Sequence, residues 1–332
     1  MNIEYVSKHG AELVTLTNKA GLSVTLSDIG AGIRDLTYKG APMMVSPEST
    51  DVYLGPNGGY YGKTVGPFAG RIKAGRYRVE GKEYRFPANE GKNALHSSCL
   101  DYSIRKFKME VLRGEDGVSV VFSLLDEAAN GVYPADISVL VRYKIMENEP
   151  VLRLKMMASP TADAPINLTN HSYWNPGAEH TILRDKLYVK ASRVLCYDRE
   201  LLPVEVKDVG EATDFRQAHA IGDFIASKEL GKGKNAGYDH CFVFDESAKE
   251  EAVLRLEGSR FGLEISTDAP AIQIYSLNRP HADFPLSNGQ KEIRHGGVAL
   301  EPVKVAGPAE TMIVKAGEEF ICRACYRFFE IE

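Results

Sequence analysis

Apolar and polar residues alternate with a period of two along most of this chain. Val139, Val141, Tyr143 and Ile145 oppose Ser138, Leu140, Arg142 and Lys144, and Leu152, Leu154 and Met156 alternate with Val151, Arg153 and Lys155. Val120-x-Phe122-x-Leu124, Leu254-x-Leu256, Leu263-x-Ile265 and Ile272-x-Ile274 repeat the pattern. Neighbouring side chains of a strand point to opposite faces, so this spacing predicts half-buried β-strands. Tyr77-x-Val79 and Tyr84-x-Phe86 flank Glu80-Gly81-Lys82-Glu83 and predict a hairpin. Helical periodicity is weak. Its best stretch, residues 221–230, reads equally as one short helix or a loop. Residues 53–61 and 212–237 read as long loops, which on a β scaffold often carry sites. With 30 Gly and 16 Pro between the strands, the pattern predicts an all-β fold, a large antiparallel β-sandwich or barrel. No low-complexity linker, charge block or repeat interrupts it, so residues 1–332 are expected to form one domain.

Composition narrows the functional classes. A chain of 332 residues buries about three quarters of its unfolded surface and needs no staples. Hydrophobic residues at 44% and charged ones at 26% exclude wholesale disorder. A net charge of −5 argues against a nucleic-acid binder, whose affinity comes from clustered Lys and Arg. No apolar run approaches the roughly 20 residues of a membrane helix, and Met1-Asn2-Ile3-Glu4-Tyr5 lacks an apolar signal core. Five scattered cysteines suit a reducing compartment. A cytoplasmic protein, monomer or homodimer, is the expectation.

Several motifs lead nowhere. Cys322-x-x-Cys325 lies in a strand-like run, where residues three apart face opposite ways, so a shared metal is not expected. Gly62-Lys63-Thr64 ends like a phosphate loop, yet Asn57 stands where that motif needs glycine. His96-x-x-Cys99 and His240-Cys241 complete no set of zinc ligands. The sequons at Asn167 and Asn170 carry no weight without export.

The informative segment runs from Pro165 to Asn175. Extended, it puts Asn167, Thr169, His171, Tyr173 and Asn175 on one face, and Ile166, Leu168, Asn170, Ser172 and Trp174 on the other. Amides, a hydroxyl, an imidazole and a phenol suit a polyhydroxylated ligand better than a core. Glu301 stands inside the apolar run Val298-Ala299-Leu300-Glu301-Pro302-Val303. Such a carboxylate is paired, exposed at an edge, or tuned for proton transfer. Arg71 and His96 follow turn-rich stretches and read equally as structural partners, and Asp239 reads equally as the start of a strand.

Together these motifs resemble the aldose 1-epimerase, or galactose mutarotase, family. The resemblance rests on Gly66…Gly70-Arg71-Ile72, Asn93-x-Leu95-His96, Asn167-x-Thr169-Asn170-His171-Ser172-Tyr173, Asp239, Pro270-x-x-Gln273-x-Tyr275 and Leu300-Glu301-Pro302, in that order over nearly the whole chain. It implies a galactose mutarotase-like supersandwich and a small-molecule sugar as substrate, with no metal and no cofactor. It implies His171 as general acid and Glu301 as general base, with Arg71, His96, Asp239 and Gln273 as sugar contacts and Tyr173 beside the acid.

The sequence also departs from the family pattern. Gly70 replaces an asparagine, Ser97 and Ser98 replace two glycines, Val303 replaces a glutamine, and Ser276-Leu277-Asn278-Arg279 replaces Thr-Gly-Asn plus an aromatic residue. These changes raise an alternative, an anionic or phosphorylated sugar held by Arg279 with His281 or Arg294. Two further classes compete: a glycoside hydrolase using Asp239 and Glu301 as paired carboxylates, and a non-catalytic sugar-binding module.

Overall fold

The alternating segments form antiparallel strands. The computed structural model describes residues 1–332 apart from 56–58, 129–131, 177–179, 232–235, 246–250, 281–283, 288 and 290. A nine-stranded sheet runs Lys108–Arg113, Gly117–Asp126, Ile137–Met146, Val151–Pro160, Phe320–Glu330, Phe261–Thr267, Leu254–Glu257, Lys186–Val189, His219–Ala220 in spatial order. A seven-stranded sheet runs Pro203–Asp208, Arg193–Tyr197, Asp239–Val243, Ala271–Tyr275, Val298–Val303, Tyr173–Trp174, Met44–Val45. Five strands between Asn2 and Pro42 form a third, consecutive meander.

The two large sheets face one another across the core. Trp174 of the seven-stranded sheet lies 5.2 Å from Tyr326 and 5.9 Å from Phe328 of the nine-stranded one, ring centre to ring centre. Val194, Phe242, Ile272, Ile274, Val298 and Leu300 join it in the same buried cluster. These are alternate residues on their strands, so the intervening ones face the other side of the seven-stranded sheet.

Local expectations fare unevenly. The hairpin pairs Arg76–Val79 with Lys82–Arg85. Its turn is only Glu80-Gly81, with φ of 49° and 79°, which matches the twist of the flanking strands. Residues 221–230 contain turns and one 3-10 turn at Lys228–Leu230 rather than an α-helix. Residues 53–61 are not all loop, because Tyr53 belongs to the short helix Thr50–Leu54, capped by Ser49. Cys322 faces the core while Cys325 is half-exposed on the opposite face of its strand. Among the described residues, no helix is long and apolar enough to cross a membrane.

Candidate active site

The outward face of the seven-stranded sheet carries a polar row where its other face carries the core. Register sets Asp239 opposite Tyr275 and Gln273 opposite Glu301 on neighbouring strands. Gln273 donates to Asp239 Oδ1 at 2.7 Å and accepts from the Tyr197 hydroxyl at 3.0 Å. This row is the floor of a cavity that His171, Tyr173, Arg71 and His96 also line. The seven residues to which the family resemblance gives roles therefore border one space.

His171 is held by its backbone at a break between two short strands. Thr169–Asn170 pairs with Thr64–Val65, and Tyr173–Trp174 pairs with Val298–Val303 and Met44–Val45. Between them, His171 N–H donates to Lys63 O and Gly62 N–H donates to His171 O, both at 2.9 Å. Gly62 has φ +68°, and a Cβ there would meet Ile33 O at 1.9 Å, so only glycine fits this close approach.

The polar-face expectation holds for part of the segment. His171 and Tyr173 present rings to the cavity with centroids 4.9 Å apart. Asn167 borders the cavity, but its amide is engaged with backbone: Nδ2 donates to Ala69 O and Oδ1 accepts from Lys304 N–H. Thr169 and Asn175 are buried away from it, Asn175 Nδ2 donating to Gly296 O. The break at His171 interrupts strict alternation. On the other face Asn170 and Ser172 bond each other, and Asn170 also reaches Gly62 O and the Tyr143 hydroxyl.

Arg71 opens the two-residue strand Arg71–Ile72, and His96 directly follows its antiparallel partner Ala94–Leu95. Arg71 makes a two-pronged ion pair with Glu90. His96 and Gly70 exchange two hydrogen bonds, His96 N–H to Gly70 O at 3.0 Å and Gly70 N–H to His96 Nδ1 at 3.2 Å. The second leaves the proton of a neutral ring on Nε2, facing away from Gly70. Burial holds the His96 pKa well below its ordinary value, with the His171 and Arg71 charges adding to the effect. His96, Ser97 and Ser98 all have positive φ, and the Ser97 hydroxyl offsets that strain by binding both Phe68 N–H and Phe68 O.

At the centre, His171 Nε2 lies 3.4 Å from Glu301 Oε1, both side chains about 5% exposed. Burial pushes the Glu301 carboxyl well above the ordinary carboxylate range, and the negative charge of Asp239 pushes it further. Asp239 is raised too, by burial, against the opposing pull of Arg71. A carboxylate made more basic beside an imidazole has the chemistry to exchange protons with a ligand between them.

Several lining residues were not foreseen. Tyr60 lies nearly parallel to the His171 ring, 5.6 Å away and 26° tilted, and edge-on to His96 at 4.8 Å. Its only sequence signal is membership of a loop. Glu90, Tyr197 and Lys304 also line the cavity without a motif to mark them. Arg279 sits at its rim, with Nη1 3.9 Å from Glu90. His281 lies outside the described residues. Arg294 donates to Ala236 O and does not border the cavity.

Residues 12–321 match the protein-family model described as Aldose 1-epimerase. The galactose mutarotase of Rattus norvegicus is 30% identical over 280 residues, covering 81% of this chain and 79% of that protein. The aldose 1-epimerase of Escherichia coli (strain K12) is 28% identical over 351 residues, covering 95% and 94%. Among solved structures, galactose 1-epimerase from Lactobacillus acidophilus NCFM superimposes with a TM-score of 0.88 at 23% identity, over 100% of this chain and 99% of that one. An aldose epimerase homologue from C. elegans gives 0.84 at 23% identity, over the whole of both chains.

Proposed function

Since this chain belongs to the aldose 1-epimerase family and is an isomerase of that type, we propose that it interconverts the α and β anomers of a neutral hexopyranose, with His171 as general acid and Glu301 as general base. The observation that carries this reading is the His171–Glu301 pair, 3.4 Å apart on the floor of a cavity rimmed by hydrogen-bonding side chains. Glu301 takes the proton of the C1 hydroxyl. The C1–O5 bond breaks, its electron pair goes to O5, and O5 takes a proton from the His171 imidazolium. The aldehyde turns about C1–C2. O5 then attacks its other face, returning its proton to His171 while Glu301 protonates the carbonyl oxygen. Both groups regain their starting states. Proton transfers carry every step, so the reaction calls for neither metal nor cofactor.

In this reading Arg71, His96, Asp239 and Gln273 hold the sugar hydroxyls, and Tyr173 packs beside the acid. His96 donates from Nε2, while Asp239 accepts. A neutral substrate follows from the charge balance. Arg71, Arg279 and Lys304 are the cavity's Arg and Lys residues, and Glu90, Asp239 and Glu301 its carboxylates, among the described residues. Arg71 and Arg279 both approach Glu90, and Lys304 donates to Met312 O. The His171 imidazolium adds a single cation to this balance, less than a dianionic phosphate needs.

The test is optical rotation of freshly dissolved α-D-glucose and α-D-galactose, with the protein, His171→Asn and Glu301→Gln run in parallel. Acceleration by the parent, absent in both variants, is the expected result. No acceleration of either sugar, or unchanged rates in both variants, would overturn it.

A further inference from the structure

A second charged region lies on the outer face of the nine-stranded sheet, behind the core and away from the cavity just described. Among the described residues, Arg142, Lys144, Arg153, Lys155, Arg323 and Arg327 line a hollow there with two carboxylates, Glu264 and Asp268. Overall charge does not explain this concentration, because the chain as a whole carries −5.

Register makes the arrangement unusual. Arg142 stands directly opposite Lys155, Lys144 opposite Arg153, and Lys155 opposite Arg323. Like charges in directly opposed positions destabilise a sheet. The carboxylates nearby are already engaged. Asp268 pairs with Arg323, Glu264 with Arg255 outside the hollow, Asp116 with Lys144, and Glu149 with Arg327. Arg142, among the described residues, binds the Ser119 hydroxyl. Among the described residues, Arg142, Arg153 and Lys155 make no ion pair, and Asp116, whose charge reaches Arg153, is itself paired with Lys144, so these residues offset the repulsion at the centre of the grid only in part.

The same strands turn Val141, Tyr143, Leu154, Met156, Cys322 and Ala324 into the core, so the grid is fixed by the packing beneath it. Strands about 4.8 Å apart set its lateral spacing. We propose that this face binds a small anion bearing two or more phosphate groups. Such a ligand bridges adjacent cations and converts their repulsion into charge-assisted hydrogen bonds, with arginine forks gripping phosphate oxygens in pairs. Among the described residues no aromatic ring lines the hollow to stack on a nucleobase. The recognised element is therefore the phosphate chain.

Inorganic triphosphate is the probe, titrated calorimetrically at low salt into the parent, into Arg153→Ser/Lys155→Ser, and into Lys82→Ser/Arg85→Ser. The last pair changes net charge equally on a remote hairpin. Saturable binding to the parent and the remote variant, weakened about tenfold or more in Arg153→Ser/Lys155→Ser, is expected. Added salt should weaken it. Without ligand, Arg153→Ser/Lys155→Ser should unfold at the parent's temperature or above, because like charges have been removed; this separates lost binding from lost folding. Non-saturating heats, or equal affinity in all three proteins, would overturn the proposal and leave only diffuse ionic attraction. Sugar mutarotation followed in the same samples distinguishes the two sites, since triphosphate held in the cavity would inhibit it competitively and also refute this location.

Discussion

Glu301 is a buried carboxyl near a second carboxyl, Asp239, a combination that disfavours its charged form. Function at neutral pH then depends on removing a proton the site holds tightly. Replacing either partner of the pair should lower kcat by about 10²–10⁴-fold, read by polarimetry on His171→Asn and Glu301→Gln. Asp239 gives a finer test. Burial first, and then the negative charge of Asp239, raise the Glu301 pKa, so the acid limb of kcat/KM should lie above the ordinary carboxylate range. Asp239→Asn removes that charge, lowers the Glu301 pKa, and should move the limb to lower pH while raising KM. A limb that stays in place would mean that another group governs it. Glu301 was conspicuous in sequence because a lone carboxylate in an apolar run has few explanations. Tyr60 was not, because a tyrosine beside a glycine-rich turn has many.

Among the elements, the loop that carries His96 shows how the departures from the family pattern are accommodated. Positive φ at residues 96–98 would ordinarily favour glycine, and here Ser97 binds Phe68 through both its hydrogen-bonding roles. Ser97→Ala leaves the buried Phe68 groups without that partner and should cost about 1–3 kcal/mol in urea unfolding. Ser97→Gly loses the same bonds but relaxes the backbone, so its loss should be smaller. Equal losses would show that the backbone at 97 is unstrained. Gly70, at φ +113°, orients His96 through its backbone N–H. The strands themselves were legible from alternation because each has one buried face. The segment from 165 to 175 was legible only in part, since the backbone breaks at His171 and sends Asn167, Thr169 and Asn175 to structural duties.

For the whole molecule, the site has a thermodynamic consequence. The folded-state pKa of Glu301 is raised, so the folded chain holds a proton that the unfolded chain releases. Stability therefore falls as pH climbs from the ordinary carboxylate value through the raised one. Glu301→Gln is neutral throughout and should gain stability over the parent across that window, even as it loses activity. Urea midpoints of both proteins at mildly acidic and mildly alkaline pH check the sign. Trp174 shows the opposite case, a side chain that serves the fold alone. It joins the two large sheets, and Trp174→Ala should cost about 3–5 kcal/mol, measured by the same method. The sequence by itself determined the all-β class, most strand positions and the ordered motifs of the family, because alternation and side-chain chemistry are local properties of the chain. Only the tertiary structure decided that residues from 71 to 301 border one cavity, that Glu90 and Tyr60 complete it, and that the cations of three strands share one outer face. Those facts depend on strand order and register, which bring together residues far apart in the chain and which no local pattern encodes.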